Sequence, residues 1–137
     1  MCIRDRATSG AVATVAGNEP WNVAGAGASA LELRDAGVAS GRFGCLGQTR
    51  PSIRLFARNL GARKASLRID LLYTSPAGVA GVATTGTLVA GAEWGVTPAI
   101  GYSIPDGSQI TGVRLAVQGS GGIWQVDDVY VDPYRRV

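Results

Sequence analysis

The sequence predicts an all-β fold, an antiparallel two-sheet sandwich, and three observations carry that expectation. Apolar and polar residues alternate with a period of two over most of the chain, as half-buried strands require and helices do not. The alternating runs are short and punctuated by clusters of Gly, Pro, Asn and Ser, the pattern of a sandwich or barrel. The intervals between runs are too short for helical crossovers, which favours antiparallel neighbours. With 137 residues the chain is long enough for one ordinary core, and no linker or internal repeat divides it.

Taken in order, the strands expected at the start are Ala11–Ala16, Ser29–Arg34 and Arg42–Leu46. Ala24–Ala30 is rich in small apolar residues, but Gly25 and Gly27 would each cost about 1 kcal/mol in a helix, so it reads as a loop. Ile53–Arg58 alternates cleanly apart from Phe56 and is ended by Asn59-Leu60-Gly61. Leu67–Tyr73 alternates again and is closed by Ser75-Pro76-Ala77-Gly78. Thr85–Val89 and Glu93–Ala99 are weaker strands, Val113–Gln118 repeats the strong pattern, and Gly119–Gly122 breaks it as a turn. Ile123–Asp132 is rich in aromatic and β-branched residues, and Pro133 stops it. The inward set is then Ile53, Leu55, Leu67, Ile69, Leu71, Val113, Leu115 and Val117. The outward set is Arg54, Arg58, Arg68, Asp70, Arg114 and Gln118. In the last run, parity groups Trp124 with Val126, Asp128 and Tyr130, and neither face is cleanly apolar.

Composition removes several function classes. Apolar residues make up 46% of the chain and charged ones 17%, the reverse of a disordered composition. The 20 glycines show no Gly-X-Y period, so a collagen helix is excluded. Histidine is absent, which removes imidazole from any triad, zinc site or pH switch. The net charge of +3 comes from basic residues spread along the chain, of which only Lys64 is lysine. Nucleic acid is therefore not an expected partner. No run reaches the roughly 20 apolar residues of a membrane span. Gly119-Ser120-Gly121-Gly122 lacks the following lysine and helix of a phosphate loop.

Met1–Arg6 reads Met-Cys-Ile-Arg-Asp-Arg, with no apolar signal-peptide core. It resembles a translated sequencing adapter, so residues 1–6 are expected to be a non-native leader before a single domain over 7–137. The native start then lies upstream. Cys2 and Cys45 are the only cysteines, and on this reading they are not a native pair. Cys45 is either a small buried hydrophobe or the orphaned half of a disulfide.

Trp124-Gln125-Val126-Asp127-Asp128-Val129-Tyr130-Val131-Asp132-Pro133-Tyr134 resembles the closing motif of an actinobacterial family of secreted-type β-sandwich proteins. Pro51–Asn59 together with Leu67–Tyr73 is similar to that family's central segments, and the resemblance spans about Gly17 to Arg136. It implies a jelly-roll, galactose-binding-like sandwich akin to carbohydrate-binding modules, located outside the cell or in its envelope. Such modules open with a Gly-Asp-Phe-Glu-like strand that pairs with the closing one. This sequence lacks that strand, which fits a truncated start.

The candidate site residues fall into three groups. Asp127 and Asp128 suit a hard cation, since calcium takes six to eight oxygen ligands, and the resemblance implies a structural calcium near the last strand. The simpler reading is a salt bridge to Arg54 or Arg114. Adjacent strand residues diverge, which also argues against these carboxylates as a glycosidase pair. Of the aromatics Trp21, Trp94, Trp124, Tyr73, Tyr102, Tyr130 and Tyr134, the better sugar-stacking candidates are Trp21 and Trp94, beside turn-rich stretches. The arginine stripe Arg54, Arg58, Arg68 and Arg114 suits uronate or sulfate by bidentate pairing; its simpler reading is a solvated face pairing with Asp70.

No residue is assigned to catalysis and no cofactor is expected beyond that calcium. The function expected is a non-catalytic extracellular module binding a glycan or cell-envelope component. The alternative is a structural or interaction domain without a small-molecule ligand. A coplanar pair of exposed aromatic rings would favour the first, a flat face of arginine and threonine the second.

Overall fold

A computed structural model describes residues 5–17, 20, 29–35, 37–46 and 51–132. Among the described residues there are eleven strands and no helix: β1 (Asp5–Ser9), β2 (Val12–Ala16), β3 (Ser29–Arg34), β4 (Val38–Leu46), β5 (Ser52–Asn59), β6 (Ser66–Thr74), β7 (Ala80–Leu88), β8 (Gly95–Val96), β9 (Ile100–Gly101), β10 (Gln109–Gln118) and β11 (Ile123–Asp132). They pair antiparallel throughout in two sheets. Sheet A has the order β1-β4-β10-β6-β7, and sheet B the order β2-β3-β11-β5-β8, with β9 also on β5.

The fold class read from the alternation holds, and so does the inward set. Ile53, Leu55, Leu67, Ile69, Leu71, Val113, Leu115 and Val117 are all buried and join Leu33, Ile110, Trp124 and Val126 between the sheets. The ends of the strands depart from expectation where side chains are small. β4 and β7 begin earlier than the apolar pattern does, because Val38-Ala39-Ser40-Gly41 and Ala80-Gly81-Val82-Ala83 offer little contrast to read. β1 takes in Asp5 and Arg6, which register with Arg42 and Gly41 on β4, although the sequence reading set those two residues aside.

The ambiguous parity of the last strand has a local cause. Asp127 registers with Phe56 but Tyr130 with Arg54, so β11 carries one residue more than β5 across Asp128 and Val129. This bulge switches faces. Trp124 and Val126 point inward before it and Val131 after it, while Gln125, Asp127 and Tyr130 point outward. Trp124 is wholly buried, and its indole N–H donates to the Ala65 carbonyl at 3.1 Å. Tyr102, also buried, donates its hydroxyl to the Ile69 carbonyl at 2.6 Å.

One buried side chain ties the β5–β6 turn to β11. The Asn59 amide donates to the carbonyls of Ala62 and Ala65, while its oxygen accepts from the backbone of Gly61 and Ile123. A Cβ at Gly61 would run into the Gly121 carbonyl, so the two turns can meet only with glycine there.

Candidate functional site

The outer face of sheet A is organised around Asp70. β6 places Arg68 and Asp70 two residues apart, hence on one face; register sets Arg114 of β10 and Thr84 of β7 opposite Asp70, and Ser40 of β4 beyond Arg114. One carboxylate oxygen accepts from Arg68 Nε at 3.1 Å, Arg114 Nε at 3.0 Å and Arg114 Nη2 at 2.8 Å. The other accepts from the Thr84 hydroxyl at 2.8 Å. The Asp70 side chain is 0% exposed, whereas those of Arg68 and Arg114 keep 33% and 34%.

Asp70 therefore belongs to the outward set by direction but is covered by its own partners. Burial of a carboxylate is tolerable here because charged donors surround it. Both Nη groups of Arg68 and Nη1 of Arg114 have no partner among the described residues. Asp70 is the single acid among the described side chains of this face, and no aromatic ring stands among them.

The outer face of sheet B carries a different arrangement. Gln125 of β11 registers with Glu32 of β3 on one side and Arg58 of β5 on the other. Its amide oxygen accepts from Arg58 Nε at 2.9 Å, and its amide nitrogen donates to Glu32 Oε2 at 2.9 Å. Glu32 Oε1 accepts in turn from Arg34 Nε at 3.0 Å. The Glu32 carboxyl is held below its ordinary range, first by the Gln125 hydrogen bond and then by the bond and charge of Arg34, against the opposing pull of burial. At the far end Arg58 lies over the Trp94 ring, 4.9 Å from its centroid, a cation–π contact. Further along β5, Arg54 registers with Tyr130, which is 57% exposed.

The arginine stripe read from sequence is thus two sites on opposite sides of the sandwich. On sheet B Arg58 lies over Trp94 and Arg54 registers with Tyr130, while on sheet A Arg68 and Arg114 pair with Asp70, as the simpler reading of the stripe had it for that pair. One face of Trp94 is occupied by Arg58, so the ring is not an open platform on that side. Trp124 and Tyr102 are core, and Trp21 and Tyr134 lie outside the described residues.

Arg114 is committed to Asp70 by a salt bridge at 2.8 Å, on the other sheet from Asp127. Asp127 is half-buried on the outer face of sheet B opposite Phe56, while the side chain of Asp128 is outside the description, as are Cys2 and the side chain of Cys45. No group of three or more His, Cys, Asp or Glu converges among the described residues.

The turn Gly119–Gly122 is indeed a turn, with φ of +88° at Gly119 and +82° at Gly121. Its anion is internal. The Asp35 carboxylate accepts from the N–H groups of Gly121 and Gly122 at 2.8 and 3.0 Å. What the sequence reading missed is the anchoring part of each site: Asp70 as a buried hub, and Glu32 and Gln125 as links. Their signal was available in the Arg-x-Asp spacing of β6 and in two polar residues placed mid-strand.

No family model and no curated protein sequence matches the chain. Solved structures do. The chain is similar to part of a structure of the CBM22-1–GH10 modules of an endo-1,4-β-xylanase from Clostridium thermocellum complexed with xylohexaose, with a TM-score of 0.71 at 14% identity over 95% of this chain. It spans only 26% of that protein's length. A CBM22-1 xylan-binding domain from Paenibacillus barcinonensis gives 0.66 at 14% identity, covering 96% of this chain and 87% of that one. A family 61 module in complex with β-1,4-galactotriose gives 0.52 at 18% identity, over 96% and 90%. The likeness is one of fold, a two-sheet antiparallel β-sandwich.

Proposed function

We propose that this chain is a non-catalytic glycan-binding module that holds its ligand against the outer face of sheet A. The observation that carries the reading is the pair of guanidiniums clamped on buried Asp70, which leaves three Nη groups without a partner among the described residues, on side chains about a third exposed. Donors fixed before the ligand arrives lose little freedom on binding. The same fold in xylan-binding and galactotriose-bound proteins supports it. Binding without turnover fits Asp70, whose buried carboxylate is engaged by Arg68, Arg114 and Thr84 rather than presented to a ligand. The setting is extracellular or at the cell envelope, where polymeric glycans are met; no described helix is long and apolar enough to cross a membrane.

The competing reading, a structural or interaction domain of an envelope protein, draws on one observation. The described side chains of sheet A's outer face include arginine and threonine but no aromatic ring. Native gel electrophoresis through soluble polysaccharides separates the two. The glycan reading expects retarded migration that is lost in Ser40→Glu, which sets a competing carboxylate opposite Arg114. Unretarded migration through every polysaccharide tried leaves the structural reading standing.

A further inference from the structure

The sheet A face has a composition that discriminates among glycans. Neutral sugars in water gain most from stacking on aromatic rings, because their hydroxyls exchange one hydrogen-bonding partner for another with little net return. The described part of this face offers no ring. What it offers is charge. Two arginines share one carboxylate, so one positive charge is left over, and no second acid among the described side chains of the face offsets it. Arg68 and Arg114 each bond Asp70 Oδ2 at 2.8–3.1 Å, so their bonding nitrogens lie within about 6 Å of each other. The surplus is therefore concentrated. The groups without a described partner are Nη donors, the outer edge of the guanidinium fork that meets carboxylates in paired hydrogen bonds.

We infer that, within the glycan-binding reading on which this rests, the ligand class is an acidic polysaccharide whose uronate carboxylate docks on Arg68 and Arg114. Asp70 acts as the positioning residue: it fixes both guanidiniums and faces away from the ligand, beneath them. Sheet B offers no matching pair around a shared carboxylate: Arg58 there bonds the neutral Gln125 amide and stacks on the Trp94 ring.

The test measures affinity by titration calorimetry for polygalacturonate and for unsubstituted xylan, at low salt and at about 0.5 M salt, where charge attraction is screened. Wild type is expected to bind polygalacturonate at least tenfold more tightly than xylan, and to lose most of that preference in high salt. Arg68→Gln keeps the two Arg114 bonds to Asp70 and so keeps the fold, checked by its melting curve. It should lower polygalacturonate affinity tenfold or more and xylan affinity by much less, so that the ratio of the two collapses. Lys64→Gln, an equal loss of charge in the β5–β6 turn, should change neither by more than about twofold. Equal affinity for both polymers, or an acidic preference that survives Arg68→Gln, overturns the uronate assignment while leaving glycan binding intact. Binding to neither polymer nor to any other glycan overturns the binding reading and the assignment with it.

Discussion

On the outer face of sheet A two arginines converge on a single buried carboxylate, whereas on sheet B Arg34 and Arg58 stand at opposite ends of a row, each met by its own partner. The formal count is the same in both, two guanidiniums to one acid. What differs is how register distributes them. In sheet A the residues opposite Asp70 are Arg114 and Thr84, so every donor points at one group. In sheet B the residues opposite Gln125 are Glu32 and Arg58, and a neutral amide separates the charges. A row that crosses strands about 4.8 Å apart spreads its charge; a hub concentrates it. The hub is therefore the more fragile element and the more capable of binding an anion.

The largest effect expected from this contrast follows removal of the hub. Asp70→Asn keeps the volume but removes the buried negative charge on which both guanidiniums converge, leaving one neutral amide oxygen for their three N–H donors. It should lower unfolding free energy by about 2–3 kcal/mol, somewhat less than for a wholly buried ion pair, because both arginines are a third exposed and can be rehydrated. Equilibrium denaturation measures it, and a loss below about 0.5 kcal/mol would mean that Asp70 is no hub.

The corresponding change in the row is Gln125→Leu. It removes one acceptor from Arg58 and one donor from Glu32, but Arg58 keeps Trp94 and Glu32 keeps Arg34. Loss of two charge-assisted bonds near the surface, partly offset by solvent, should come to about 1–2 kcal/mol by the same denaturation experiment. A larger loss than that of Asp70→Asn would invert the comparison.

How far these sites can be read from the sequence depends on which interactions are local. The alternation of β5, β6 and β10 marks the core face unaided, because side-chain direction along a strand is fixed by its pleat. Parity fails in β11 only where the bulge at Asp128 and Val129 inserts a residue, and nothing short of the pairing with β5 exposes that. Strand order is less legible still. β5 and β6 are consecutive and similarly patterned, yet they lie in different sheets, so Arg58 and Arg68 end on opposite sides of the molecule. The sequence pattern places arginines outward correctly. It does not say that Asp70 lies under two of them, because that follows from β10 and β7 flanking β6. The strands least visible, β1 and the early parts of β4 and β7, are those with small residues, whose inclusion is decided by pairing rather than by propensity.

The smallest effect expected is a pH dependence confined to the row. Glu32 has its carboxyl held below the ordinary range by the Gln125 hydrogen bond, aided by Arg34. Its folded pKa therefore lies below the unfolded value of about 4.3. A group depressed in this way contributes stability in full above the unfolded pKa and loses it as pH falls through the folded one. Glu32→Gln should accordingly be less stable than wild type at pH 6, by under about 1 kcal/mol for so peripheral a pair. The difference should shrink toward zero as both are taken below pH 4, since wild-type Glu32 is then increasingly protonated and resembles its replacement. Thermal melts of the two proteins at matched pH provide the measurement. A gap that widens on acidification would require a Glu32 pKa raised by folding, and would place burial rather than the Gln125 and Arg34 contacts in control of that end of the row.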